Sequence, residues 1–150
     1  RGLELLALRR PLEGGADGGE AHDLERLVQL RDDWRSLGRS DVEPGPDPSF
    51  VLLDEDFHIR LAEAAGNHEL VVLLQGINER IRLVRIYDFL TPERVQRTVE
   101  QHLAIVDAVI DRDLATAEQR LNAHLSESLA VVEQRAARAL ARMINHRRPS

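Results

Sequence analysis

The segment Leu52–Leu70 reads "LLDEDFHIRLAEAAGNHEL", and its apolar residues recur at spacings of three and four rather than two. That period belongs to a helix with one buried face. The inward row, followed from just before the segment, is Val51, Asp54, His58, Leu61 and Ala65. An acid and an imidazole therefore occupy slots whose neighbours on the stripe are apolar. Gly66 ends the helix through a left-handed residue, and Asn67 is placed to cap the next one.

Outward from this segment the punctuation is helical throughout. Breakers stand at "EGGADGG" (13–19), "EPGPDP" (43–48), "LTP" (90–92) and "DRD" (111–113). Between them the spacing predicts helices over 2–12, 20–37, 48–65, 68–89, 92–111 and 114–145. Thr91 is the expected cap of the fifth, with Pro92 at its first position, where a missing N–H costs little. Asp113 is the expected cap of the sixth. Connections this short turn consecutive long helices antiparallel, so the predicted fold is all-α, an antiparallel bundle of about six helices in a single domain over 1–150.

Two further helices repeat the pattern. The fifth presents Val95, Val99, His102, Val106 and Val109. The sixth presents Leu114, Ala117, Leu121, His124, Ser128 and Val131. Three helices thus send one aspartate and three histidines inward. A single histidine on a helix seam is more often a hydrogen-bonded core residue, and a single Asp–His pair one turn apart is more often a surface ion pair. Recurrence on three helices changes the weighing. An unpartnered buried carboxylate costs several kcal/mol and an unpaired imidazole on the order of 1–3, so such groups persist when something compensates them together. A divalent cation does so. One carboxylate and three imidazoles suit Zn, Ni, Mn or Fe and suit Ca or Mg poorly. His22, His68 and His146 lie near helix starts or in the tail and stay outside this set.

Composition sets bounds on the alternatives. The chain has 150 residues, a net charge of −6 and no cysteine, so any metal is held by nitrogen and oxygen and no disulfide exists. Charged residues are 31% of the chain, acids and arginines mostly interleaved, and only Arg135–Arg148 is locally basic. A phosphate backbone needs clustered cations, so this segment does not grip nucleic acid by itself. No apolar run approaches the ~20 residues of a membrane span, and the expected location is the cytoplasm. "EGGADGG" lacks the lysine and preceding strand of a phosphate loop. Ser126 and Ser128 near His124 lack an acid partner for nucleophilic catalysis.

"LLDEDFHIRLAEAAGNHEL" resembles the signature D-x-x-F-H-x-x-L-x-x-A-x-G-N-x-x-L. "EQHLAIVDAVIDRDLATAEQRLNAHL" resembles E-x-H-x-x-I-x-x-A-[IV]-x-x-x-D-x-x-x-A followed by H-[IL]. Together they resemble the C-terminal effector-binding (FCD) domain of FadR-like GntR-family transcription regulators, over roughly residues 48–130. The resemblance implies an antiparallel helical bundle that senses a small organic acid and forms a homodimer. It also implies DNA contact only through an N-terminal winged helix-turn-helix, which nothing in this sequence resembles. A metal-containing branch of the family uses an Asp and three His, which map onto Asp54, His58, His102 and His124. An arginine of the first helix that meets the acid maps onto Arg9, although Pro11 and the glycine cluster depart from the pattern there. Asn78, Arg82 and Arg85 form one polar stripe and are the better effector candidates. The expected function is metal-assisted sensing of a carboxylate rather than catalysis. Two other readings stay open: a metal-dependent hydrolase, for which no separate acid–base residue stands at a recognisable spacing, and a structural metal in a dimerisation domain.

Overall fold

Residues 23–38, 49–89 and 91–146 are those described by the structure, a computed structural model. Among them are five α-helices and no strand: α1 (Leu24–Gly38), α2 (Ser49–Ala64), α3 (His68–Arg85), α4 (Pro92–Ile110) and α5 (Leu114–His146). A 3-10 turn, Ile86–Phe89, joins α3 to α4. The predicted helix over 2–12 lies outside the described residues.

Local chemistry sets the ends. Asn67 Oδ1 accepts from the Leu70 amide at 3.1 Å, Thr91 Oγ1 from Arg94 at 3.3 Å and Asp113 Oδ1 from Thr116 at 3.1 Å. Each satisfies a donor that the first helical turn leaves unbonded. Gly66 adopts φ 68°, the left-handed geometry that closes α2 without a Cβ penalty. One expected helix is shorter than its apolar period suggests: 68–89 is α-helical only to Arg85. The tighter final turn carries Asp88 and Phe89 inside, where the aspartate meets Arg94.

The helices pack as a bundle. α4 lies between α1 and α5, α2 packs on α1 and α3, and the 3-10 turn touches α3, α4 and α5. Leu27, Leu30, Trp34, Phe57, Val99, Ile105, Val106 and Leu121 form the main core. A satellite cluster of Ala62, Ala65, Leu70, Val71 and Leu74 holds the α2–α3 corner. At about 25 cal/mol per Å² of apolar surface removed from water, these seams supply the main favourable term in folding. Among the driest polar side chains are Asp54, His102 and His124 at 0% exposure and His58 at 3%.

Candidate metal centre

Each ligand-type residue is held by its own seam. Asp54 and His58 are one turn apart on α2, His102 faces them from α4, and His124 from α5. One ligand atom from each of the four lies within 4.8 Å of every other. His102 Nε2 stands 3.2 Å from His124 Nε2, 3.4 Å from Asp54 Oδ1, and His124 Nε2 is 3.9 Å from that same oxygen. Two nitrogens bonded to one cation at about 2.1 Å each are separated by about 3.0–3.4 Å, so the imidazole pair already has ligand spacing. Asp54 Oδ1 is buried and accepts no hydrogen bond. In this environment such an oxygen calls for a positive partner. The cluster can hold a metal ion, and its donor set fits one.

The electrostatics favour the ligating protonation states. Burial drives the His102 imidazole well below its ordinary value, and the neighbouring imidazoles and arginines push the same way. Burial takes His124 down to about 3, with His58 adding to the shift and Asp54 opposing it. Burial works against the charge of Asp54, but Arg85 together with His58 and His124 outweighs it and holds the carboxyl below its ordinary value. The result is two neutral imidazoles facing an ionised carboxylate, which is what a divalent cation needs.

Around the four residues lies a supporting layer. The His102 ring stacks on Phe57 at 3.7 Å and 8°, and meets Trp34 edge-on at 4.4 Å and 68°. His124 Nδ1 pairs with Gln101 Oε1 at 2.9 Å, which makes that nitrogen the N–H and turns the Nε2 lone pair toward the cluster. Gln101 is itself fixed, donating to Glu127 Oε2 at 2.8 Å, while Arg97 holds the other Glu127 oxygen at 2.5 Å.

The two arginines of the α3 polar stripe pair with acids of α2. Arg85 Nη2 donates to Asp54 Oδ2 at 2.5 Å, and Arg82 grips both Glu55 oxygens at 2.7–3.1 Å. Consecutive acids of α2 thus pair with arginines on successive positions of one α3 face. Asn78 is buried and lines a cavity with Arg85; Arg82 is not among the residues lining it. Arg9 lies outside the described residues.

Sequence reasoning missed a second buried network. Arg94 is 6% exposed and donates to both Asp88 oxygens (2.9 and 3.2 Å), Thr98 Oγ1 (2.9 Å) and Ser128 Oγ (2.7 Å). Burial raises the Asp88 carboxyl while Arg94 opposes the shift. The available signal was periodic: Arg94, Thr98 and His102 share one α4 face at spacings of four. Phe57 was legible in the D-x-x-F-H stretch, but its role as a shelf for a histidine of another helix was not.

The model of the FCD domain matches residues 2–127. Among similar proteins is the HTH-type transcriptional regulator LutR of Bacillus subtilis (strain 168), 32% identical over 133 residues, covering 82% of this chain and 58% of that one. The uncharacterized HTH-type transcriptional regulator YdhC of the same organism is 26% identical over 124 residues, covering 83% and 52%. The Nta operon transcriptional regulator of Aminobacter aminovorans is 39% identical over 62 residues, covering 41% and 28%. The chain therefore spans little more than half the length of these relatives at most. No solved structure matches it.

Proposed function

Because the chain belongs to the FCD domain family of GntR-type transcription regulators, we propose that it senses a small carboxylate at a divalent metal held by Asp54, His58, His102 and His124. The observation that carries this reading is the convergence of the four buried donors within 4.8 Å, with Asp54 Oδ1 lacking any hydrogen bond. Nitrogen-rich donors favour Zn, Ni or Mn over Ca and Mg. When bound, the ion supplies a positive anchor for a carboxylate oxygen beyond its protein ligands.

The protein's own residues do the rest. Asp54 contributes one negative charge against the ion and Arg85, so the centre keeps an excess of positive charge and attracts an anion. Arg85 presents a planar guanidinium suited to carboxylates. Phe57, Trp34 and Gln101 hold two imidazoles in place, so little ordering remains to be done when the ion enters. Acid binding at this junction of α2, α3, α4 and α5 tightens four helices together. It biases DNA-binding modules of the whole regulator by a coupling on the order of 1–3 kcal/mol.

A sensing role fits the acids nearest the cluster better than catalysis does. Glu55 is gripped by Arg82 and Asp88 by Arg94, so neither is poised for proton transfer. The regulator works in the cytoplasm as a homodimer and meets DNA through a winged helix-turn-helix. No described helix is long and apolar enough to cross a membrane. Elemental analysis of the purified protein, paired with calorimetric titration of organic acids, tests the reading. A stoichiometric transition metal and an acid that binds only to the metal-loaded form are expected; metal-free protein that resists loading would refute it.

A further inference from the structure

A cavity of about 370 Å³ opens between α3 and α5; none of the four cluster residues lines it, and Arg85 joins its wall to Asp54. Its wall is two facing seams. From α3 come Leu74, Ile77, Ile81 and Val84 with Asn78 and Arg85; α5 adds Leu125, Leu129 and Val132 with Ser128. The three polar groups are not scattered from the chemistry. Arg85 reaches from the wall to Asp54 Oδ2 at 2.5 Å, and Ser128, one turn beyond His124, accepts from Arg94 at 2.7 Å. Asn78 and Ser128 are each only 7% exposed, so the polar part of the wall is built into the fold. Ile77, Ile81, Val84 and Leu129 are 38–52% exposed, the large apolar surface that this cavity leaves uncovered.

Resting on the sensor reading above, we propose that the effector is an aliphatic monocarboxylate of short to medium chain, its carboxylate at Arg85 and the metal and its hydrocarbon along the Leu74–Val84 and Leu125–Val132 seams. A polyhydroxylated or polycarboxylic acid would set the polar groups that reach beyond Asn78 and Ser128 against leucine, isoleucine and valine, where they lose water without gaining a partner. A hydrocarbon loses nothing there. The cavity volume lies at the small end of ligand sites, about 300–1,000 Å³, which disfavours long acyl chains.

The test is calorimetric titration of the protein with its measured metal complement, using butanoate, hexanoate, octanoate and decanoate against lactate, succinate and citrate. Affinity is expected to rise about three- to four-fold per added methylene until the cavity is filled, and then to fall. Leu129→Trp, at a half-exposed position on the cavity wall, is expected to shorten the optimal chain. Lactate, succinate or citrate binding more tightly than all four unsubstituted alkanoates, with no dependence on chain length, overturns this inference and leaves the sensor reading standing. An optimum that Leu129→Trp does not move also overturns it, because the hydrocarbon then lies elsewhere. No binding by any of the seven acids overturns both.

Discussion

Asp54 divides its carboxylate between two partners: Oδ2 receives Arg85 Nη2 at 2.5 Å, while Oδ1 faces His102 Nε2 at 3.4 Å. One oxygen is thereby committed to α3 and the other to the centre of the bundle.

Separating those two duties by mutation is the first prediction. Arg85→Leu is expected to keep the metal, whose donors are intact, and to weaken organic-acid binding at least ten-fold through loss of a charge-assisted contact. Asp54→Asn is expected to lose metal outright. Elemental analysis and acid titration of both variants check this. Equal metal loss in the two would show that Arg85 serves only to orient Asp54.

Removing a ligand should also remove the metal's contribution to stability. For the unaltered protein, a metal at a hundred times its Kd adds about 2.7 kcal/mol, visible as a thermal transition that chelator lowers. In His124→Ala the transition with and without chelator should coincide. Persistence of a chelator effect in that variant would place the metal elsewhere.

Gln101 touches no metal yet fixes the tautomer of His124. Gln101→Ala is expected to lower metal affinity by about 10–100-fold with unchanged helix content, as loss of a partner behind a histidine ligand does at other metal centres. Competition against a chromophoric chelator gives the number. Unchanged affinity would mean that packing alone holds His124.

The buried imidazoles also predict how metal-free protein responds to acid. Unfolded histidine takes its proton near pH 6.5, whereas His102 in the fold is held well below that and His124 near about 3. Below pH 6.5 the unfolded chain therefore binds protons that the folded chain refuses, and stability falls as pH falls. Each imidazole's contribution to stability is present in full above about pH 7 and is lost below it with a slope of up to about 1.4 kcal/mol per pH unit. Asp54, held low, adds its own loss only at more acidic pH, below the ordinary carboxylate value. Urea midpoints in chelator should hold from pH 8 to about pH 7 and drop from there to pH 5. A flat profile would mean that these histidines already reach water in the metal-free state.

Arg94 offers a contrast, a buried charge whose task is structural. Arg94→Met leaves Asp88 buried without its cation and is expected to cost about 3–5 kcal/mol. Combining it with Asp88→Leu should recover much of that loss, since an ion pair replaced whole by apolar groups is often neutral. Denaturant unfolding of the two variants decides between this and a role in metal retention.

How much of this was written in the order of the residues follows from where each determinant lies. Helix faces were legible because Val95, Val99, His102 and Val106 fall on one stripe whatever packs against them. The four donors were legible for the same reason: each violates its own stripe. Partner choice was not. Arg82 and Arg85 read as a polar face, and only the angle between α3 and α2 turns them onto Glu55 and Asp54. Arg94 and Ser128 are 34 positions apart, and Arg94's other partner, Asp88, sits on the 3-10 turn at Ile86–Phe89, which helical periodicity does not distinguish from one more α-turn.

The edge-on contact between Trp34 and His102 has a practical corollary. This is the chain's only tryptophan, and it rests against an imidazole of the cluster. Its emission is therefore an intrinsic gauge of occupancy: a paramagnetic ion such as nickel or manganese will darken it, and zinc will leave it bright. Loading of a quenching ion can be followed in real time without attaching a dye, and zinc by its competition with that ion.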